Sequence, residues 1–342
     1  MEIDIVRLSG TPREMGERHG ELLADGARAM CDARIQLCID AGMARENLMA
    51  LAAESLPVFA EWAPDVYAEF QGIAAGARIS DEELLVGNGY TDVIDLVNRE
   101  MGGPSECTAF LTGSGFIGQT WDMNATAYPH VVAFERRPEG APASVTMTTS
   151  GCLSLVGINE CGIAIGNTNL VPHDAKPGVM YLAMIHKVLA QTTFDDAVRT
   201  ITDAPRMSGH FYYIGGPDGE AVGIETTGER HSVINLNEAG VLAHANHYDD
   251  ETLSAYIDQG ELTGNSPTRA ARMRELLGEA DGHDWGSLEA ILSDHGAPIC
   301  RHELPGSDVR TCSAAIMCPR ERTIRMVKGY PCEGGLGEIR LT

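Results

Sequence analysis

One break in pattern constrains this chain more than anything else in it. Before residue 101 the sequence is mostly helical in its punctuation. After Gly102-Gly103-Pro104-Ser105, four turn-forming residues in a row, short β-rich and alternating runs take over. On the helical side, a strand at 3–8 leads into Thr11, Pro12 and Glu14, which supply an N-cap, a proline at the first helical position and a capping-box acid. A long helix should follow, with others at 48–60 and 65–77. Ser80 and Glu83 repeat the capping box ahead of a helix at 84–97.

Past the break, strands are expected at 108–111, 116–121, 131–135, 144–148, 153–158 and 163–168, then helices at 180–189 and 194–201. Strands return at 211–214, 221–225, 231–236 and 241–245. Helices from Ser266-Pro267 to residue 277 and at 285–292 precede last strands at 314–317 and 323–327. Strands and helices in blocks imply layered α+β packing rather than regular βαβ winding. No linker or repeat divides the 342 residues, so one compact unit is expected.

Charge excludes some partners. The formal net charge of −24 repels phosphate backbones and anionic lipid alike, so neither nucleic acid nor membrane is an expected partner. The start, Met1-Glu2-Ile3-Asp4-Ile5, has no basic or apolar leader pattern, and a cytoplasmic location is expected. Nine scattered cysteines fit reduced thiols, most of them small core residues, better than a disulfide framework.

One cysteine stands apart by position. Cys107 lies just past the break at a strand start, and Asp122 follows fifteen residues later across an apparent hairpin, which should bring the two near each other. From the residues alone, Cys107 reads either as buried filler or as a nucleophile. Elsewhere in the chain stand Gly10-Thr11-Pro12 with Met15-Gly16 and His19-Gly20, then Gly72-Ile73-Ala74 with Gly76-Ala77. Cys107-Thr108, Gly118-Gln119-x-Trp121-Asp122 and His244-x-Asn246-His247 follow in order. Together these resemble the acyl-coenzyme A:6-aminopenicillanate acyltransferase family of self-processing cysteine hydrolases, which also includes hydrolases of β-alanyl amines.

The resemblance implies a four-layer αββα N-terminal-nucleophile sandwich. It implies a precursor that cuts itself between Glu106 and Cys107, leaving a helical chain 1–106 bound to a catalytic chain 107–342. The free α-amine of Cys107, with an ordinary pKa of about 7.7–8.0, then serves as general base for its own thiol. A small N-acyl amine is the implied substrate, attacked to give a thioester whose acyl group passes to water or an amine. No cofactor is implied. Asn246 is the candidate oxyanion donor, and Asp122 is placed to orient the amine or hold a proton. Arg310 has a counterpart in the family, where it would pair with Asp122 or bind a substrate carboxylate. Asn167 and Asn169 fall where the family has a loop near its pocket. The helix at 84–97 is a candidate pocket wall.

Two positions depart from the family. Glu106 stands where glycine is frequent and adds a negative charge at the scissile carbonyl, while Ala109 replaces a hydroxyl residue. Two other functions stand beside this one. His244 and His247, with Asp249 and Asp250, suggest a metal-dependent hydrolase, and a non-enzymatic binding relative would keep the fold without the chemistry. Gly113-x-Gly115-x-x-Gly118 matches a dinucleotide fingerprint but leads into a strand, so it reads as a hairpin turn. Cys300-x-His302, Cys312 and Cys318 have irregular spacing and read as core thiols.

Overall fold

The structure is a computed structural model that describes residues 3–97, 106–254, 264–304 and 306–342. The Gly102–Ser105 break itself lies outside the described residues. The elements on either side of it match the expected change of character. β1 (Ile5–Gly10) is followed by five helices, α1 (Pro12–Leu22), α2 (Ala24–Asp40), α3 (Arg45–Trp62), α4 (Pro64–Ala77) and α5 (Asp81–Val97). Thr11 caps α1 with the reciprocal Glu14 bond in place. The Ser80 hydroxyl likewise accepts from the Glu83 N–H, 3.2 Å away.

After the break the chain builds β2 (Glu106–Thr112), β3 (Ile117–Asn124), β4 (Val131–Pro138), β5 (Ser144–Thr149), β6 (Val156–Asn159) and β7 (Ala164–Leu170). Helices α6 (Tyr181–Val188) and α7 (Phe194–Thr202) precede β8 (Gly209–Gly215), β9 (Ala221–Thr226), β10 (His231–Ile234) and β11 (Val241–His244). The short α8 (Glu251–Ser254), then α9 (Ser266–Glu279) and α10 (Trp285–Leu292), lead to β12 (Val309–Cys318), β13 (Thr323–Lys328) and β14 (Gly337–Arg340).

The strands form two sheets. One has eight strands in the order β1-β4-β5-β6-β7-β8-β9-β10, the other six in the order β11-β2-β3-β12-β13-β14. Every pair is antiparallel except β1 with β4. Alternation along β2 sends Cys107, Ala109 and Leu111 into the core shared with the larger sheet, together with Ile165, Phe211 and Tyr213. Phe110 points the other way, into a second core with Met273 and Leu277 of α9 and Leu288 of α10. Two sheets with helices outside each make the αββα sandwich that the resemblance implied. Among the described residues no helix is long and apolar enough to cross a membrane.

Several glycines of the quoted motifs act through packing. A Cβ on Gly16 would sit 2.0 Å from the Glu69 carbonyl oxygen, and one on Gly72 would sit 2.4 Å from that of Arg13. Gly20 and Gly76 repeat the approach one turn on, so the backbones of α1 and α4 touch along a glycine seam. His19 is also structural. Its Nε2 accepts from the Gly151 N–H at 3.0 Å, and burial pushes its pKa down to about 3. Gly113 and Gly115 lie in the turn of the β2–β3 hairpin, with Gly115 at φ +91°, as the turn reading expected, while Gly118 is already in β3 opposite Phe110.

Candidate active site

The hairpin register sets the site. Cys107 pairs with Trp121 and Glu106 with Asp122, so Cys107 and Asp122 are diagonal neighbours on adjacent strands. The nearness expected of them holds along the backbone, but pleating sends their side chains to opposite faces. The Cys107 thiol enters the inter-sheet core, close enough to Tyr90 and Tyr213 to interact electrostatically with both. Asp122 faces the helices on the outside. Its Oδ1 accepts from the Thr311 hydroxyl at 2.6 Å, while its buried Oδ2 has no partner among the described residues.

A buried arginine ties the two faces together. Arg269 of α9 donates through Nη1 to the Cys107 carbonyl and to Thr108 Oγ1 at 2.9 Å. Its Nη2 donates to Asn246 Oδ1 at 2.9 Å, and its Nε to Asn265 Oδ1 at 2.8 Å. Asn246 Oδ1 also accepts the Cys107 N–H at 2.8 Å. Two donors converging on one amide atom identify it as oxygen. Asn246 Nδ2 therefore points away and donates to the Asn169 carbonyl at 3.0 Å. Both backbone groups of Cys107 are thus held by side chains, the half-buried Asn246 and the buried Arg269.

The carboxylate of Glu106 is also met. Arg301 forms an ion pair with it, Asn265 Nδ2 donates to it at 3.3 Å, and Arg269 Nε lies 3.9 Å away. Asn265 and Arg301 also border a cleft of about 440 Å³ that opens on this side of the sheet. Protonation follows the burial. The Cys107 thiol is pushed up to about 12, by burial first and by the nearby Asp122 charge second. Burial likewise raises Asp122 to about 7 against the opposing pull of Arg269. The chain therefore holds a protonated thiol beside an acid that titrates near neutrality.

The remaining expected residues sort by geometry. Arg310 does not pair with Asp122. It is opposite Met123 in the ladder, one step along from the Thr311–Asp122 pair, so it emerges on the other face. There it pairs with Glu303 at 3.1 Å, with its guanidinium 4.3 Å from the Tyr128 ring centre and 4.0 Å from that of Tyr330. Asn167 and Asn169 lie within β7 rather than on a loop, and both are buried. The strand runs on because Asn167 and Asn169 pair with Tyr212 and His210 of β8. Asn167 donates its N–H to Gln119 Oε1 at 2.9 Å, which links the two sheets behind the nucleophile.

The histidine pair proposed for a metal stays stacked at 6.0 Å, but the two rings bond to different partners. His244 Nε2 meets Glu225 at 2.8 Å and its ring stacks on Phe211 at 3.7 Å, whereas His247 turns to the Ser266 hydroxyl at 2.6 Å and to Asp249 at 3.2 Å. Asp249 does lie near Glu225 and His244. The Glu225 oxygens, however, already accept the backbone N–H groups of Asp249 and Asp250 at 2.6 and 3.1 Å.

Comparison with known proteins decides the family. The model of the acyl-coenzyme A:6-aminopenicillanic acid acyl-transferase family matches residues 111–332, well over half of the chain and including both Asp122 and Asn246. The chain belongs to this family. As a member it is an N-terminal-nucleophile enzyme acting on C–N amide bonds through a nucleophilic residue. That outcome displaces the reading as a binding protein without chemistry. The match begins four residues after Cys107.

Among solved structures, a mutant of the conjugated bile acid hydrolase from Clostridium perfringens is similar at 16% identity and a TM-score of 0.47, covering 69% of this chain and 92% of that one. A penicillin V acylase from Agrobacterium tumefaciens is similar at 14% identity and a TM-score of 0.43, covering 65% and 82%. Both likenesses are loose.

In this acyltransferase-family chain, sequence reasoning missed Arg269, Thr311, Asn265 and Arg301. Arg269 left one trace: with Met273 and Leu277 it repeats every fourth residue along the buried face of α9, an apolar stripe interrupted by a charge. Thr311 and Arg301 left none, because their roles arise from strand register and an irregular loop.

Proposed function

We propose that this protein is a self-processing cysteine amidohydrolase or acyltransferase in which Cys107 is the nucleophile. In the first reaction Cys107 gives up its thiol proton and Sγ bonds to the Glu106 carbonyl carbon. The C–N bond then breaks as the Cys107 nitrogen takes a proton. Water cleaves the resulting thioester, leaving a Glu106 carboxylate and a free Cys107 α-amine. The observation that carries this reading is the clamp on Cys107, with its N–H on Asn246, its carbonyl on Arg269 and its thiol in the inter-sheet core. Such a clamp holds the nitrogen in place while its covalent partner changes.

Glu106 fits the same reading despite its departure from glycine. Its charge is matched by Arg301 and lies near Arg269, so it does not stand bare beside the carbonyl under attack. Asp122, raised to about 7 with one oxygen unpartnered, is suited to take or return a proton there. Once the amine is free, Asn246 Oδ1 is its natural acceptor. The second Nδ2 hydrogen of Asn246 has no acceptor among the described residues and is the candidate donor to a substrate oxyanion. The substrate class is a small N-acyl amine, its acyl group passing through the Cys107 thioester to water or an amine. Asn167 and Asn169 are proposed to line the acyl side, and Arg310 to hold a substrate carboxylate at the outer edge.

Intact mass under denaturing conditions tests the first step. Wild type should split between Glu106 and Cys107 while Cys107→Ala stays whole, and the cleaved form alone should release amine from small N-acyl amines. A wild-type chain that remains full length, or a Cys107→Ala chain that still splits, would sink the proposal.

A further inference from the structure

Beside the Glu106 clamp, four metal-ligating side chains converge from parts of the chain whose spacing signals nothing. His295, Cys300, His302 and Cys332 each bring one ligand atom into a group in which all lie within 4.8 Å of one another. The two sulfurs are 3.5 Å apart. His302 Nε2 is 3.2 Å from the Cys332 sulfur and 3.9 Å from that of Cys300. A tetrahedral zinc with Zn–S near 2.3 Å and Zn–N near 2.0–2.1 Å requires ligand atoms about 3.3–3.8 Å apart. These separations bracket that range, with the thiols and the His302 ring in hydrogen-bonding contact and no disulfide joining the cysteines. Two thiols and two imidazoles are also the donor set that borderline-soft divalent ions select over magnesium or calcium.

We propose that His295, Cys300, His302 and Cys332 form a structural zinc site. Four protein ligands close the coordination sphere, so the ion has no open position for water and stays outside the amide chemistry. Binding displaces the two thiol protons to solvent. The His302 ring is held for this by stacking on Tyr330 at 3.9 Å. The site's value lies in what sits between its ligands. Arg301 is flanked by Cys300 and His302, and its side chain is the one paired with Glu106. Its backbone N–H donates to the Thr311 hydroxyl, which donates in turn to Asp122. A metal here fixes the loop before β12 to the Cys332 turn and holds Arg301 against Glu106.

The test uses the full-length chain grown with zinc and desalted, and metal content is read in the same way whether or not the chain has cut itself. Wild type should retain close to one zinc per chain. Cobalt(II) titrated into apo protein should give the intense visible bands of a tetrahedral ion, with thiolate charge transfer in the near ultraviolet. Cys332→Ser and His295→Ala change exposed residues and should fold normally by circular dichroism, yet each should lower retained zinc at least tenfold and bleach the cobalt spectrum. A wild type that keeps no zinc and gives only the pale octahedral cobalt spectrum would overturn the proposal. So would retention unchanged in both variants, or an intact mass two hydrogens lighter that marks a Cys300–Cys332 disulfide instead.

Discussion

Asp122 illustrates how much a single buried carboxyl changes when its neighbours are few. Its ordinary pKa of 3.8 rises to about 7 through burial, against the charge of Arg269, the hydrogen bond from Thr311 and the charge of Arg301. Between those two values the folded chain holds a proton that the unfolded chain has released. Its contribution to stability is therefore full below about pH 4 and is lost as pH rises through about 7. Removing the charge should remove that loss. In an uncleaved Cys107→Ala background, Asp122→Asn should gain on its parent as pH goes from 5 to 8, by an amount on the order of a few kcal/mol. Urea midpoints at the two pH values measure it, and a gap that does not change with pH would refute the assignment. Residue-level reading of the sequence put forward Cys107, Asp122 and Asn246 through the motifs that carry the family resemblance. It offered Arg310 either to Asp122 or to a substrate carboxylate, because nothing in a sequence reports which of two adjacent strand residues faces Asp122. The β12 register supplies that, and it selects Thr311.

Secondary elements were legible where capping chemistry or strict alternation marked them. The Thr11 and Ser80 boxes open α1 and α5, and the helix read at 285–292 coincides with α10. β14 was not read, since Gly337–Arg340 is a short, mostly exposed edge strand with little apolar pattern. The break between α1 and α2 at Leu23 was also invisible, because Gly20 and Gly26 lie inside the two helices and residues 21–25 hold no helix breaker. The glycines of α1 and α4 were visible only as family markers, whereas their physical content is the seam between the two helices. Methyl groups at that seam would meet backbone oxygen well inside contact distance and force the helices apart. Overpacking of this kind typically costs about 1–3 kcal/mol, sometimes more. Gly16→Ala and Gly72→Ala should each lower the thermal midpoint, and the pair should cost less than the sum because one separation of the helices accommodates both methyl groups. Gly42→Ala is not an equivalent control, since Gly42 has φ +97° and its own strain, but Gly278, with open space at its Cβ, should tolerate alanine with no loss. Equal behaviour of Gly278→Ala and Gly16→Ala in a thermal melt would contradict the seam.

At the scale of the molecule, the break in sequence pattern does not divide the structure. β1, from the helical third, completes the larger sheet by pairing with β4 along its whole length. α5 is sewn into the catalytic part by buried polar groups. Asn88 donates to the Gly151 carbonyl at 3.1 Å and accepts the Leu153 N–H at 2.8 Å, while Asp92 meets His210 at 2.6 Å and the Tyr181 N–H at 3.0 Å. Tyr90 of the same helix reaches Met123 at 2.7 Å on the nucleophile's side of the sheet. Separating residues 1–106 from the rest would bare this apolar interface and leave buried donors and acceptors unpaired, each a cost of about 1–3 kcal/mol or more. Cutting one peptide bond removes none of these contacts. Cleaved protein should therefore elute from gel filtration as a single species containing both chains in equal amounts, and it should unfold in urea in one transition with both chains released together. If instead the 1–106 chain leaves under native conditions while the remainder still turns over an N-acyl amine, α5 is not a wall of the working site and the two parts are separable units.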